Sequence, residues 1–176
     1  RNTGQLVSNP VFNNLGVPGE DARVVGAWNQ NITGAGVIVG VVDSGIQAAH
    51  PDLNANYRAD LSINFTGGLF GNQSHGTAVA GIIGAVGNNG IGGVGVAPNA
   101  QLASLTVGGA FGFGEAAIIQ AITYRNDVID IYNHSWGEAV DGRQYIPASP
   151  LIIAALRRSV LFGRPGPDGT PLGNIH

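Results

Sequence analysis

The sequence predicts an α/β fold in which a parallel sheet is doubly wound, with helices on both of its faces. The segment Val37–Val42 is apolar apart from Gly40 and runs directly into Asp43, as expected for a strand buried on both faces. Segments with helical apolar spacing alternate with further apolar runs along the chain, which is typical of parallel sheets with helical crossovers. The 176 residues are 44% apolar and 11% charged, and this suits one domain spanning residues 1–176.

The individual elements follow from apolar spacing and from residues that begin or end helices. Alternating apolar residues indicate a half-exposed strand at 61–65, whereas a shared apolar face indicates a helix at 75–86. Ser149 and Pro150 provide a cap and a first helical residue, and Gly163 ends that helix. We predict further helices at 20–28 and 115–126, further strands at 101–107 and 128–132, and Gly-, Asn- or Pro-rich loops at 1–19, 87–97, 108–114 and 164–173.

The composition excludes several classes of partner and chemistry. The net charge is −3 and all eight basic side chains are Arg, with no basic block, so neither nucleic acid nor an anionic membrane is an expected partner. Cysteine is absent, which excludes disulfides, a thiol nucleophile and a thiolate metal site in these residues. The longest apolar segment, 78–86, is far too short to cross a membrane.

Asp43 and His75 are the first candidate functional residues. Asp43 ends a predicted central strand, and His75 begins a predicted helix directly after Ser74. Both positions fall at the carboxyl edge of the sheet, where ligands bind in open α/β folds. A carboxylate bonded to one imidazole nitrogen leaves the other nitrogen free to accept a proton from a nucleophile. Taken by themselves, however, a strand-end Asp is often a turn residue and a lone His is often structural.

The sequence around these residues resembles a known family. Val41–Ile46 (VVDSGI), His50–Leu53 (HPDL) and His75–Gly81 (HGTAVAG) resemble the aspartate and histidine blocks of the subtilisin-like serine proteases, the subtilases. Asn31–Gly36 (NITGAG) and Asp130–Gly137 (DIYNHSWG) look like the kexin/furin branch of proprotein convertases. The resemblance runs from about residue 12 to the last residues. It implies the N-terminal part of a subtilisin-like peptidase domain.

The resemblance implies roles for particular residues. Asp43 would orient His75, and His75 would act as general base in a serine endopeptidase. The expected substrate is a peptide or protein whose extended backbone is held by strand addition. The residues expected to line the substrate cleft are Ser135, Trp136 and Gly137 on one side and Gly108 and Gly109 on the other.

A calcium site is the second implication. The family places a structural Ca²⁺ between an Asp, an Asn and several carbonyl groups. In this sequence those positions are the side chains of Asp52 and Asn89 and the carbonyl groups of Val86, Ile91 and Gly93. Hard oxygen ligands of this kind are the ones that calcium prefers. Without the resemblance, the loop would be interpreted as a Gly-rich turn.

The sequence also departs from the family pattern. Ser44 stands where the kexin/furin branch has a second acid, and Thr66–Gln73 replaces an acid-rich stretch, which argues against a paired-basic preference and leaves cleavage after a single Arg or Lys. The 176 residues contain neither the family's nucleophile block nor its oxyanion segment. We therefore expect a second chain or segment to complete the domain and supply the serine. The resemblance favours a secreted or periplasmic location.

Three alternatives remain open at this level. The first is a noncatalytic peptide-binding homologue that has the cleft and no nucleophile. The second is dinucleotide binding at Gly34–Gly36, although these glycines precede the strand instead of following it. The third is a metal-dependent hydrolase using His50, Asp52 and His75, for which no helical histidine pair is present.

Overall fold

The computed structural model describes residues 22–68, 73–109, 112–137 and 147–176. The chain divides into two compact units, 1–33 and 34–176. In the first unit, a single helical turn, α1, spans Val25–Trp28. The helix predicted at 20–28 is confirmed over Val25–Trp28, but it begins later than predicted, because Arg23 has a left-handed φ of 52° that interrupts helical geometry. Glu20 and Asp21 lie outside the described residues.

A four-stranded parallel sheet forms the centre of the second unit. Its strands are β1 (Ile38–Asp43), β2 (Ile63–Asn64), β3 (Gln101–Thr106) and β6 (Ile131–His134). They lie in the order β2-β3-β1-β6, so β1 is an interior strand. Ile175 pairs in parallel with Ile131 on the outer side of β6. The predicted fold class is thereby confirmed.

Helices cover both faces of the sheet. The first is α2 (Ser74–Gly84), and the other two are α3 (Glu115–Thr123) and α4 (Pro150–Phe162). Val39 and Val41 of β1 belong to a core cluster that includes residues of α2, and Val42 belongs to a second cluster that includes residues of α3 and α4. Burial of successive β1 side chains in two separate cores explains the unbroken apolar run in this strand. Among the described helices, none has the length and apolar character needed to span a bilayer.

The caps of α4 agree with the sequence, since the Ser149 hydroxyl accepts a hydrogen bond of 3.2 Å from the Leu151 backbone N–H and Gly163 follows the last helical residue. The predicted start of the last strand, by contrast, is wrong. β6 begins at Ile131 instead of residue 128, because the apolar segment before it forms a turn in which Ile129 N–H bonds to the Arg125 carbonyl. Ile129 is fully buried there, so burial rather than strand geometry accounts for its apolar character.

The region 108–114 is also more ordered than predicted. It contains a short antiparallel pair, β4 (Gly108–Gly109) and β5 (Gly112–Phe113), instead of a plain loop. The segment 61–65 is likewise divided: Leu61 ends a 3₁₀ turn, Ala59–Leu61, and only Ile63–Asn64 pairs with β3. Leu61 is buried in the core although it is outside the strand. Ile63, by contrast, lies in the strand and is exposed, so the alternation identified neither the buried residues nor the paired ones consistently.

Candidate active site

Asp43 and His75 meet at the carboxyl edge of the sheet. Asp43 is the last residue of β1 and is 0% exposed, and His75 is the second residue of α2. His75 Nδ1 lies 2.8 Å from Asp43 Oδ1 and 3.0 Å from Oδ2. The His75 side chain is 60% exposed, so the ring extends from a buried carboxylate into open space.

This contact determines the tautomer of His75. A carboxylate can only accept hydrogen bonds, so Nδ1 must carry the proton and a neutral ring has its lone pair on Nε2. No described residue forms a hydrogen bond with Nε2 in the structure. Asp43 Oδ1 also accepts a 2.7 Å bond from the Ser44 backbone N–H, which orients the carboxylate. The pair therefore presents one exposed basic nitrogen at the sheet edge.

The residues predicted to line the cleft follow the two strands that flank β1. Gly108 and Gly109 come after β3, and Ser135–Gly137 come after β6. Trp136 Nε1 donates a 2.8 Å hydrogen bond to the carbonyl of Val42, the residue before Asp43. The two predicted walls therefore lie on opposite sides of the strand that carries Asp43.

A ladder of aromatic rings, which the sequence did not predict, leads away from Trp136. His134 meets Trp136 edge to face with ring centroids 5.6 Å apart, and it stacks on His176 at 5.5 Å. His176 in turn stacks on Tyr132 at 4.8 Å. Part of this ladder could have been predicted, because side chains two residues apart in a strand, such as those of residues 132 and 134 in β6, lie on the same face of the sheet. The contacts of His176 could not have been predicted in this way, because His176 lies in a segment distant in the sequence.

Hydrogen bonds give this ladder a definite protonation pattern. The Ser159 hydroxyl donates to Asn174 Oδ1 at 3.1 Å and accepts from Asn126 Nδ2 at 2.9 Å. Its proton is thus already used, so His176 Nε2, 2.7 Å away, must donate to it. His176 Nδ1 then carries the lone pair and accepts from His134 Nε2 at 3.2 Å. Both imidazoles are neutral in this arrangement.

Acidification should destabilise the fold through this ladder. Burial, assisted by His176, lowers the pKa of His134 from 6.5 to about 4, and burial also lowers the pKa of His176. The unfolded chain binds protons near pH 6.5 and the folded chain does not, so this stability is complete above pH 6.5 and is lost as the pH falls toward 4. We expect His134 to account for a loss of about 3 kcal/mol over that window.

Urea unfolding at pH 7 and pH 4.5 measures this loss. We expect His134→Phe, which keeps an aromatic ring but cannot titrate, to lose less stability between the two pH values than the wild type. His50→Gln, which removes a histidine outside the ladder, should retain the wild-type loss. Equal losses in wild type and His134→Phe would contradict the assignment.

Asp52 and the loop after α2 form a second cluster. Asp52 is 5% exposed, and its Oδ1 accepts a 2.7 Å bond from Asn89 Nδ2 while its Oδ2 accepts a 3.0 Å bond from Gly93 N–H. These bonds, that of Asn89 first, lower the pKa of Asp52 below its ordinary value. The Asp52 carbonyl accepts a 2.9 Å bond from Val86 N–H, and Asn89 Oδ1 accepts a 3.2 Å bond from Ile91 N–H. The five residues predicted to hold calcium are thus neighbours in one loop cluster, in which Val86, Ile91 and Gly93 make these contacts through their N–H groups.

The residues of this cluster include the types of oxygen donor that calcium prefers. Gly92 has a left-handed φ of 56°, and a Cβ at this position would overlap Asp52 Oδ2, so the loop is wrapped closely around the carboxylate. One buried carboxylate, one side-chain amide and backbone carbonyls are all hard oxygen donors. A cation would compete with the Asn89 and Gly93 donors for the oxygens of Asp52.

Two alternative sites find no support in the geometry. Within the described ranges, no three His, Asp or Glu side chains gather as a metal-binding group, so His50, Asp52 and His75 do not form one. Gly34 and Gly36 lie before β1 at φ values of 83°, and a Cβ on Gly34 would crowd Ala97 and Ala100. These glycines therefore serve a tight turn against the neighbouring loop, and they do not begin a helix as phosphate-binding glycines do.

Fold and site together define a parallel α/β protein with an aspartate–histidine pair at the end of an interior strand, between two candidate peptide-binding walls. The family model described as Subtilase family matches residues 34–162. The chain therefore belongs to the subtilase family, as its motifs predicted.

Individual relatives agree with the kexin/furin resemblance. The chain is 38% identical over 173 residues to PC3-like endoprotease variant B of Hydra vulgaris. This alignment covers 93% of the present chain and 23% of the Hydra protein. It is 36% identical over 162 residues to human neuroendocrine convertase 2, in an alignment that covers 86% of this chain and 25% of the human protein. The chain thus spans about a quarter of the length of the curated relatives it matches.

A solved structure supports the fold. A protease from Pseudoalteromonas arctica superimposes with a TM-score of 0.63 and is 26% identical. The match covers 74% of this chain and 48% of the other. The parallel sheet with helices on both faces is therefore the subtilisin-like fold.

Proposed function

We propose that this chain is part of a serine endopeptidase in which Asp43 and His75 supply two of the three members of a catalytic triad. The observation that carries the proposal is the pair of contacts between His75 Nδ1 and the buried Asp43 carboxylate, which leaves Nε2 basic and exposed. Family membership supports it further, because the relatives named above are described as an endoprotease and a convertase.

The chemistry follows from this geometry. Nε2 of His75 accepts the proton of a serine hydroxyl as that oxygen attacks the peptide carbonyl. Asp43 stabilises the imidazolium that forms, and Nε2 then gives the proton to the leaving amine. In the second half of the reaction His75 activates water in the same way, and the acyl-enzyme is hydrolysed. The serine and the oxyanion donor come from a second chain or segment that completes the domain.

The sheet topology suggests how a substrate is held. β1 ends at Asp43, whereas the chain continues past β3 into Gly108–Gly109 and past β6 into Ser135–Gly137. Because neighbouring strands are about 4.8 Å apart, the two continuations lie about 10 Å apart, which is room for one extended peptide between them. Main-chain hydrogen bonds along such a peptide would position its scissile carbonyl beside His75.

Specificity and metal binding complete the proposal. A basic residue, Arg or Lys, at the cleavage site is the preference that the family resemblance suggests. Ser44 provides no negative charge beside Asp43, so a second basic residue gains no ion pair there. One structural Ca²⁺ held by Asp52, Asn89 and the carbonyls of Val86, Ile91 and Gly93 would brace the segment that leads from β1 toward α2. A secreted or periplasmic location stays a prediction from the family.

Labelling with a fluorophosphonate separates an enzyme from a noncatalytic peptide-binding homologue. We expect the full-length protein, loaded with calcium, to be labelled on one serine and to cleave Arg- and Lys-containing peptides in preference to their Leu counterparts. Preincubation with an unlabelled fluorophosphonate should abolish both signals. A folded, calcium-loaded protein that binds peptides and takes up no label would establish the binding homologue instead.

A further inference from the structure

Ser44 makes contacts on both sides of the Asp43–His75 pair. Its backbone N–H donates to Asp43 Oδ1 at 2.7 Å. Its hydroxyl accepts a 3.2 Å hydrogen bond from the backbone N–H of Gly76, the residue directly after His75. The main chain of Ser44 is therefore hydrogen-bonded to Asp43, the acid of the pair. Its side chain is hydrogen-bonded to the helix turn that contains His75, the base.

The turn after β1 and the first turn of α2 approach very closely at this point. A Cβ on Gly76 would overlap the Gly45 carbonyl, so only glycine allows the contact. One further hydrogen bond joins the same two turns, from Gln47 N–H to the Thr77 hydroxyl at 3.0 Å. Of these two hydrogen bonds, the one made by the Ser44 hydroxyl is nearer to His75 in the chain.

We propose that Ser44 is a positioning residue: its side chain holds the first turn of α2 in the position in which the His75 ring contacts the Asp43 carboxylate. This inference rests on the proposed proteolytic function, because its kinetic consequence concerns His75 as general base. The first backbone N–H groups of a helix have no partner within the helix, and Gly76 N–H is one of them. The Ser44 hydroxyl satisfies it from outside and so ties the helix start to β1.

The chemistry of residue 44 then determines how well the pair is aligned. A side chain that can accept from Gly76 N–H keeps the tie, as hydroxyls do at helix N-termini. Ser44→Ala removes the acceptor and Ser44→Cys weakens it, since a thiol is a poor acceptor. Ser44→Thr keeps it. The expected order of alignment is therefore wild type and Thr above Cys, with Ala lowest.

Steady-state kinetics of the full-length, calcium-loaded protein test this order. We expect Ser44→Ala to lower kcat by about tenfold to a hundredfold with KM nearly unchanged, because a small misplacement of a catalytic group costs this much. Ser44→Cys should be intermediate, and Ser44→Thr should restore kcat. Thr77→Val is the matched control, since it removes the other bond between the same turns, and its kcat should stay within about twofold of wild type. Equal kcat losses in Ser44→Ala and Thr77→Val would overturn the proposal.

An NMR measurement separates this inference from the proposed function. The His75 Nδ1 proton, assigned by its disappearance in His75→Ala, should exchange with water faster in Ser44→Ala than in wild type or Thr77→Val. If that difference is seen in a protein without peptidase activity, the positioning role stands and the proposed function fails. If proton exchange and kcat are both unaffected in Ser44→Ala and Ser44→Cys, the positioning role is wrong and the proposed function is untouched.

Discussion

His75→Ala is expected to reduce kcat by about 10⁴-fold or more in the full-length protein, because it removes the group proposed to accept the nucleophile's proton. The proposed substrate walls on either side of Asp43 are untouched, so KM should change little. Folding should also be preserved, since the His75 side chain is 60% exposed and contributes little to the core. The measurement is turnover of an Arg-containing peptide together with the thermal midpoint.

Two companion variants make the result specific. Asp43→Asn leaves an oxygen near Nδ1 but no longer requires Nδ1 to be the donor, so it should also lose most of its turnover through the wrong tautomer. His50→Gln should keep near-wild-type turnover, because His50 Nδ1 only accepts a 3.3 Å bond from Asp52 N–H. Activity retained in His75→Ala would refute the base assignment. Activity lost in His50→Gln but retained in His75→Ala would point to a metal-dependent reaction instead.

Removal of calcium is expected to lower the thermal midpoint of the full-length protein by about 8 to 16 °C. A ligand that binds only the folded state at a thousand times its Kd contributes about 4 kcal/mol. For a domain of this size each kcal/mol shifts the midpoint by about 2 to 4 °C. The physical cause is the buried Asp52 carboxylate, for which a divalent cation would be a far stronger partner than the Asn89 and Gly93 donors.

The decisive quantity is the difference between midpoints measured with calcium and with chelator. Asp52→Asn should abolish that difference, although it also leaves one of two donors without an acceptor and so lowers the midpoint without metal. Asp60→Asn is the matched control, because Asp60 pairs with Arg58 on the surface and should retain the full calcium response. A calcium response of normal size in Asp52→Asn would exclude this site.

Much of the fold could be predicted because local rules determine it. The apolar run that ends in Asp43, the Ser149 and Pro150 start of α4 and its Gly163 end are local signals, and each agrees with the structure. The meeting of Asp43 and His75 was also predictable, since a strand end and the start of the following helix share one edge of a parallel sheet. The fold class and the family were therefore available from the chain alone.

Other features depend on contacts between distant residues. The predicted start of β6 was wrong because Ile129 is buried in a turn. An apolar residue indicates burial, but it does not indicate which backbone hydrogen bonds the residue makes. The hydroxyl of Ser44 was interpreted only as a missing negative charge, since its bond to Gly76 N–H spans 32 residues. No local pattern could have revealed it.

The sequence by itself determined that this protein is a subtilase with an acid at the end of an interior strand and a base at the start of a helix, because strand burial, helix capping and the family motifs are written in neighbouring residues. Only the tertiary structure decided which nitrogen of His75 is exposed, how Asp52 is enclosed by its loop, and that His134 and His176 form one ladder beside Trp136. The physical reason is that hydrogen-bond direction and ring stacking depend on where separate segments come to lie, and that is settled when the whole core packs.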